Sequence, residues 1–354
     1  MHNLINEAPA KRNYDFIDAI RCIAMMAIVA EHCIGSYTFP KDSQIYWAYL
    51  LYMQITRFGT ISFFLLAGFL IGDKFADYTP AQYLKRRIST TFGPWVFWSL
   101  VYVLAMVINM AVKERIYHRG DFNLANIADG IEKVYLYTNY WFIINFLISI
   151  TILLVFRRYL YSLYLGIPLM CFTLFYAVNV HYEWIQPGHT TAILGFVFFL
   201  WLGAQLRGRW QQIETRLNKL SYVVIIIIVL ITYILSVCEI YALTGHSADA
   251  FNTLRLSNVF YSLAVFVLLL RIKTFGFIKY LKPRQTTFGI YLIHFIIVVF
   301  AIPEILIHFN FNVDGMNALQ FGLLKLATFL TVYSITFGIV SLLNRSKARV
   351  LVGN

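Results

Sequence analysis

Apolar residues in this chain come mostly in runs of about twenty, the length at which a helix crosses a bilayer. Ten such stretches stand near 16–36, 46–72, 88–112, 140–156, 160–181, 189–206, 220–243, 255–271, 286–302 and 319–343. Short connections join most of them, and no internal repeat, low-complexity tract or Gly/Ser/Pro-rich linker divides the chain. Only 13% of the residues are charged and 60% are hydrophobic, with a mean hydropathy of +0.67, values foreign to a soluble domain of this size. The expectation is an all-α, polytopic membrane protein of about ten transmembrane helices, one domain over residues 1–354.

A net charge of +12 would suit a nucleic-acid binder, but its distribution reports topology instead. With the N-terminus inside, twenty of the 29 Lys and Arg residues fall in cytoplasmic segments. Six lie in outer loops (Lys41, Lys113, Arg115, Arg119, Lys133 and Arg255), and Arg21, Arg57 and Lys325 fall within spans. That bias is the positive-inside pattern of an even number of spans with both termini cytoplasmic. Membrane lipids are therefore the expected surroundings, the inner cell membrane the expected location, and nucleic acid is not an expected partner. Asp15, Asp18 and Arg21 interrupt the first stretch where a cleavable signal is uniformly apolar, so it is expected to remain as a span. Lys325, near the outer end of the last span, is expected to snorkel to the surface. Cys22, Cys33, Cys171 and Cys238 all fall in spans as free thiols, and no Cys/His grouping points to a metal.

The first stretch, DFIDAIRCIAMMAIVAEHCIGS, carries the strongest chemical signal. Arg21 and His32 are eleven residues apart, a rotation of about 1100°, or about 20° past three full turns. Both therefore face one side of the helix, separated by a rise of about 16 Å. Such side chains are costly inside a bilayer and mark a pathway or a site. Arg57, about ten residues from the outer end of the second span, is too deep to snorkel; Glu31, Glu239 and Asp18 are the acids available to pair with it. His294 falls near mid-depth of the ninth span, where packing and functional roles are both open. The outer segment 113–139 mixes charges with Asn and Gly, as a solvated loop or as a cover over an opening. Gly68 and Gly72, spaced as GxxxG, permit close helix packing. The sequence has no GxSxG, P-loop, GxGxxG, HExxH or HxxxxD, so an enzyme built from it assembles its chemistry from intramembrane side chains.

Taken in order, these residues resemble the membrane acyltransferase-3 family, bacterial proteins that O-acylate cell-envelope glycans, in its stand-alone form without a fused esterase-like domain. Arg21 and His32 after Asp18 are similar to the family's first-helix signature. Arg57 with Phe63-Phe64 and Gly68, then Trp141-Phe142, Gly203, and Ile290-Tyr291 with His294 follow in family order. The chain departs from the pattern at Ser89, Thr90 and Thr91, where many members have a second Arg, and at Ala67, where the family has Ser. It departs again at Asn139-Tyr140, where His often precedes the Trp-Phe pair.

The resemblance implies transfer of an acyl group, most often acetyl from acetyl-CoA, to a hydroxyl of an envelope glycan or its lipid-linked precursor. Acetyl-CoA enters as donor substrate, and no cofactor is expected to stay bound. His32 is the expected general base and Arg57 the group that steadies the oxyanion or orients the acceptor. Arg21 with Arg86 and Arg87 would hold the donor's phosphates near the inner face. His294 and Trp141 are expected against the substrate. The depths of these residues predict one continuous polar cavity bounded by the first, second and ninth spans, open to both faces and wider outside. The alternative reading is a transporter or flippase of a lipid-linked glycan, with Arg57, His32 and His294 along its route. No paired halves support it in the sequence.

Overall fold

Helix starts follow the capping residues closely. The computed structural model describes residues 14–74, 79–118, 120, 122–188, 191–309, 311, 313 and 315–354. Ser43, Ser162 and Ser221 accept backbone N–H bonds at the starts of α2 (Gln44–Thr56), α7 (Leu163–Tyr182) and α10 (Tyr222–Leu243). Thr79 with Gln82 and Asn317 with Gln320 close reciprocal capping boxes on α4 (Pro80–Tyr117) and α15 (Ala318–Asn344). The remaining long elements are α1 (Asp15–Ile34), α3 (Gly59–Lys74), α5 (Leu124–Tyr137), α6 (Trp141–Val155), α8 (Ile193–Gly208) and α11 (Leu256–Ile272). Short helices α9 (Trp210–Lys219) and α12 (Ile278–Leu281) follow α8 and α11 respectively. Next, α13 (Pro283–Ile296) runs through a π-helical turn (Ile297–Ala301) into α14 (Ile302–His308). No strand occurs among the described residues.

All ten apolar stretches contain a helix. Six helical segments have the length and apolarity to cross a membrane: Gln44–Gly72, Pro80–Tyr117, Leu163–Tyr182, Tyr222–Leu243, Pro283–His308 and Ala318–Asn344. The other four expected spans are charged, bent or short. Every long window of α1 holds Asp18, Arg21 and Glu31, α5 and α6 qualify only as a pair bent by 52°, and α8 and α11 are shorter apolar helices. The segment read as an outer loop is instead the last turns of α4 followed by the capped helix α5.

Apolar faces of α4 and α10, such as Leu100, Leu104 and Ile108 or Ile231 and Ile234, point outward. In a bilayer that is the lipid face, so polar groups gather inside. Within the bundle, α3 and α8 cross with backbones touching. A Cβ added at Gly68 would sit 1.9 Å from the Leu200 carbonyl oxygen, and one at Gly203 would sit 2.1 Å from that of Leu65. This is the close approach expected of Gly68; Gly72 meets the side chain of Arg207 instead. Phe64 on the same helix stacks with Phe196 and meets Phe142 edge-on, tying α3 to α8 and α6.

Two cations sit where sequence depth alone misplaces them. Lys325 does not snorkel: it is 7% exposed, its Nζ donates to the Tyr37 hydroxyl at 2.6 Å and lies 4.2 Å from that ring's centre. Arg255, assigned to an outer loop, is fully buried. It donates to Gln54 Oε1 at 2.8 Å and the Ser236 carbonyl at 2.9 Å, with Glu239 3.6 Å away. The four thiols are free as expected, but only Cys22 and Cys33 are buried; Cys171 and Cys238 lie on the exterior.

Candidate active site

The second span breaks at the residue that matters most. After Thr56 the helix does not continue: Arg57 N–H donates to the Gln54 carbonyl at 3.2 Å, and α3 restarts at Gly59. Gly59 lets α3 press on α1, since a Cβ there would meet the Ala24 carbonyl at 2.8 Å. Gln54 is itself held by Arg255 and by donation from its amide to Asn258 Oδ1 at 2.9 Å. The break thus sets Arg57 against α1, where its Nη1 lies 3.2 Å from Glu31 Oε1. Arg57 is 8% exposed, and its Nε–H has no partner among the described residues.

At the next residue of α1, His32 Nδ1 lies 2.9 Å from His294 Nε2, with the two rings stacked at 29°. His294 Nδ1 lies 3.0 Å from the Ile290 carbonyl oxygen. A carbonyl only accepts, so His294 donates from Nδ1, and its Nε2 carries the lone pair in the neutral ring. His32 Nδ1–H then donates to that lone pair, which leaves the basic lone pair of His32 on Nε2. Phe295 meets the His32 ring edge-on at 4.8 Å and fixes its tilt. The π-helical turn begins three residues beyond His294, a distortion that helices often carry at functional positions.

His32 and Arg57 line one cavity of about 590 Å³. Its floor is formed by Ile28 and Glu31 of α1 and Thr60 of α3, and its sides by the Thr138–Phe142 bend and by Tyr291, Phe295 and Val298. Exposed residues Ser36, Tyr137, Gln186 and Ala248 make the rim, at the end of the bundle where α1 finishes. The bend before α6 is pinned from behind. The Tyr140 hydroxyl donates to the Leu292 carbonyl at 2.9 Å, the Asn139 amide donates to the Tyr291 carbonyl at 2.8 Å, and the Tyr291 hydroxyl donates back to the Asn139 carbonyl. Asn139 Oδ1 is left buried without a partner among the described residues. Trp141 faces the cavity and packs on Phe196 at 5.4 Å between ring centres.

The structure therefore brings His32, Arg57 and Trp141 together and sets His294 one layer behind. His294 is fully buried and does not line the cavity, so its only route to a ligand there is through His32. Arg21, Arg86 and Arg87 lie elsewhere. Arg21 donates to Asp18 at 3.1 Å, and Arg284 reaches the same carboxylate at 3.0 Å. Arg87, within electrostatic reach of Arg21, bonds the Tyr83 hydroxyl at 3.0 Å, and Arg86 is exposed. No lining residue on α1 lies closer to Arg21 than Ile28, so the expected cavity open at both faces is here closed below His32. Met25 and Val29 of α1, packed with Ile290 and Ile293 of α13, fill the interval.

Sequence reasoning raised Glu31 only as a possible partner for Arg57 and did not reach Asp249, Thr253 or Arg284. Asp249 and Thr253 come to the cavity on the coil between α10 and α11, which no periodicity foretells. Arg284 carried a signal, an Arg just after the Pro that starts α13, on the cation-rich side.

The profile of an acyltransferase domain, that of the acyltransferase-3 family, matches residues 14–343. The chain belongs to the acyltransferase-3 family. The match runs from the residue before α1 to the last turn of α15 and so takes in every side chain named above. Comparison with curated proteins finds no match, and neither does comparison with solved structures. Membership makes the chain a membrane acyltransferase.

Proposed function

We propose that the chain transfers an acyl group, acetyl from acetyl-CoA, to a hydroxyl of a cell-envelope glycan or its lipid-linked precursor, at the cavity that holds His32 and Arg57. The observation that carries this reading is the hydrogen-bond chain from His32 Nδ1 through His294 to the Ile290 carbonyl. It fixes one tautomer and keeps the lone pair on His32 Nε2, as a general base requires. His32 Nε2 takes the proton of the acceptor hydroxyl as its oxygen attacks the thioester carbonyl. The tetrahedral oxyanion forms beside the Arg57 guanidinium. Collapse breaks the C–S bond, and the departing thiolate recovers the proton from His32. His294 acts as a positioning residue, in place of the direct substrate contact expected of it. Trp141 supplies an apolar face to the acceptor.

The donor approaches from the opposite end. Arg21 and Arg284 meet at Asp18, with Arg87 within electrostatic reach of Arg21 and exposed Arg86 nearby in sequence, a grouping of guanidinium groups suited to the donor's phosphates. The helical rise from Arg21 to His32 is about 16 Å, to be spanned by the donor's thin arm once the Met25 and Val29 layer parts. In this reading the span count is ten, both termini are cytoplasmic, the cavity faces outward, and the protein sits in the inner membrane.

Purified protein in lipid nanodiscs, given acetyl-labelled acetyl-CoA and candidate envelope glycans, should place label on the glycan. His32→Ala should lower that rate by about 10²–10⁴-fold without loss of folded protein. His294→Ala should lower it less and move the pH at which the rate is half-maximal, an effect that packing alone does not produce. Undiminished transfer by folded His32→Ala would refute the assignment.

A further inference from the structure

Among the described residues, Arg255 is the most deeply buried Lys or Arg, and it does not line the cavity. An enclosed guanidinium is costly to keep, and apolar packing in its place is often no less stable. Its charge is matched by Glu239 at 3.6 Å, with Asp249 within electrostatic reach. Its fork, however, spreads over three segments of the chain. Nε donates to the Asn252 carbonyl at 3.2 Å, Nη1 to the Ser236 carbonyl at 2.9 Å, and Nη2 to Gln54 Oε1 at 2.8 Å. A planar guanidinium holds acceptors on separate sides at once, which the single ammonium of a Lys does not.

Gln54 is where that fork meets the break before α3. Its carbonyl accepts the Arg57 N–H at 3.2 Å, and its side-chain amide donates to Asn258 Oδ1 at 2.9 Å. A helix that stops within a span leaves its last carbonyls short of donors. The start of α11 supplies one, since the Tyr261 hydroxyl donates to the Ile55 carbonyl at 3.1 Å. Arg255, Asn258 and Tyr261 recur every three residues and so turn one face of α11 toward the end of α2. Just ahead of them in the chain, the Phe251 ring centre lies 5.6 Å from Arg57 Cζ. We propose that Arg255 is a positioning residue for Arg57: acting through Gln54, it fixes where α2 breaks and so holds the Arg57 guanidinium against Glu31 in the cavity. This goes beyond the reading of Arg57 as the oxyanion's neighbour, and its consequence for the rate rests on that reading.

The test reads the placing of Arg57 without donor or acceptor, so that it fails separately from catalysis. Phenylglyoxal, which modifies arginine side chains, is added to the nanodisc protein, and the rate at each arginine is followed by peptide mass spectrometry. Arg255→Lys keeps the charge and loses the fork, while Gln54→Met keeps the length and loses both side-chain hydrogen bonds. Each should raise the modification rate of Arg57 at least about fivefold and leave Arg21 and Arg284 as in wild type. If neither variant folds, Tyr261→Phe, which loses one hydroxyl, should raise it in the same direction and decides instead. Unchanged reactivity of Arg57 in a folded variant overturns the proposal, and so does an equal rise at Arg21 and Arg284, the mark of general loosening. In the acetyl-transfer assay the same variants should lower kcat at least about tenfold, with the KM for acetyl-CoA within about twofold of wild type. A loosened Arg57 with undiminished kcat would fault the catalytic reading of Arg57 and uphold its placement by Arg255.

Discussion

Adding one methyl group at Gly68 tests how the bundle holds its reactive residues. The new Cβ would stand 1.9 Å from the Leu200 carbonyl oxygen, where ordinary contact begins near 3.4 Å. The clash is backbone against backbone, with no side chain free to swing away, so α3 and α8 must part by about 1.5 Å. Overpacking of a tight interior costs about 1–3 kcal/mol, and the absence of any soft neighbour puts Gly68→Ala near the upper figure. Arg57 stands two residues before α3 begins and moves with it. A displacement of about 1 Å at a reacting group is worth about 10²-fold in rate. The assay is heat unfolding of the purified protein, followed by tryptophan fluorescence, beside the initial rate of label transfer. Gly338→Ala on α15 is the matched control, since a Cβ there meets nothing within 4 Å, and it should stay within about 1 kcal/mol of wild type. If Gly68→Ala proves as stable and active as Gly338→Ala, the contact at α3 and α8 is not what sets the site.

Arg21→Lys keeps the charge but loses the planar fork, so it should raise the KM for acetyl-CoA with little change in kcat. An unchanged KM would make Arg21 structural, a partner for Asp18 alone. Tyr37→Phe removes the hydroxyl that accepts from buried Lys325 and should destabilise the protein by about 1–3 kcal/mol. The paired change with Lys325→Met should recover most of that loss; failure to recover would show that the ammonium does not depend on Tyr37.

The sequence made the helical class and the placing of His32 and Arg57 legible, because apolar run length and helical spacing are local quantities. Arg21 and His32 do share α1, and Arg57 does reach the same cavity as His32. Less was legible where the outcome depends on what crosses from another helix. Lys325 reads as a snorkelling residue by depth, yet Tyr37, nearly three hundred residues earlier, turns it inward. Arg255 reads as a loop cation, yet Gln54 and Ser236 draw it into the interior. His294 stands behind His32 and off the cavity wall, which no spacing reveals, because the stacking of the two imidazoles is a fact about α1 against α13. The closed interval below His32 was missed for the same reason. Shared facing on one helix says nothing of what α13 inserts between.

That closed interval also has an electrical meaning. In the proposed orientation, with the cavity open to the outside, its water carries the outside potential down to the level of Ile28, so little voltage falls across the outer part of the bundle. Nearly all of it then drops over the thin apolar layer of Met25, Val29, Ile290 and Ile293. A unit charge crossing that layer exchanges about 2.3 kcal/mol with a potential of 100 mV, while the same charge moved within the cavity exchanges almost nothing. In an energised cell, a proton or thiolate that passes between Arg21 and His32 does work against that field, whereas a sugar shifting beside His32 does not.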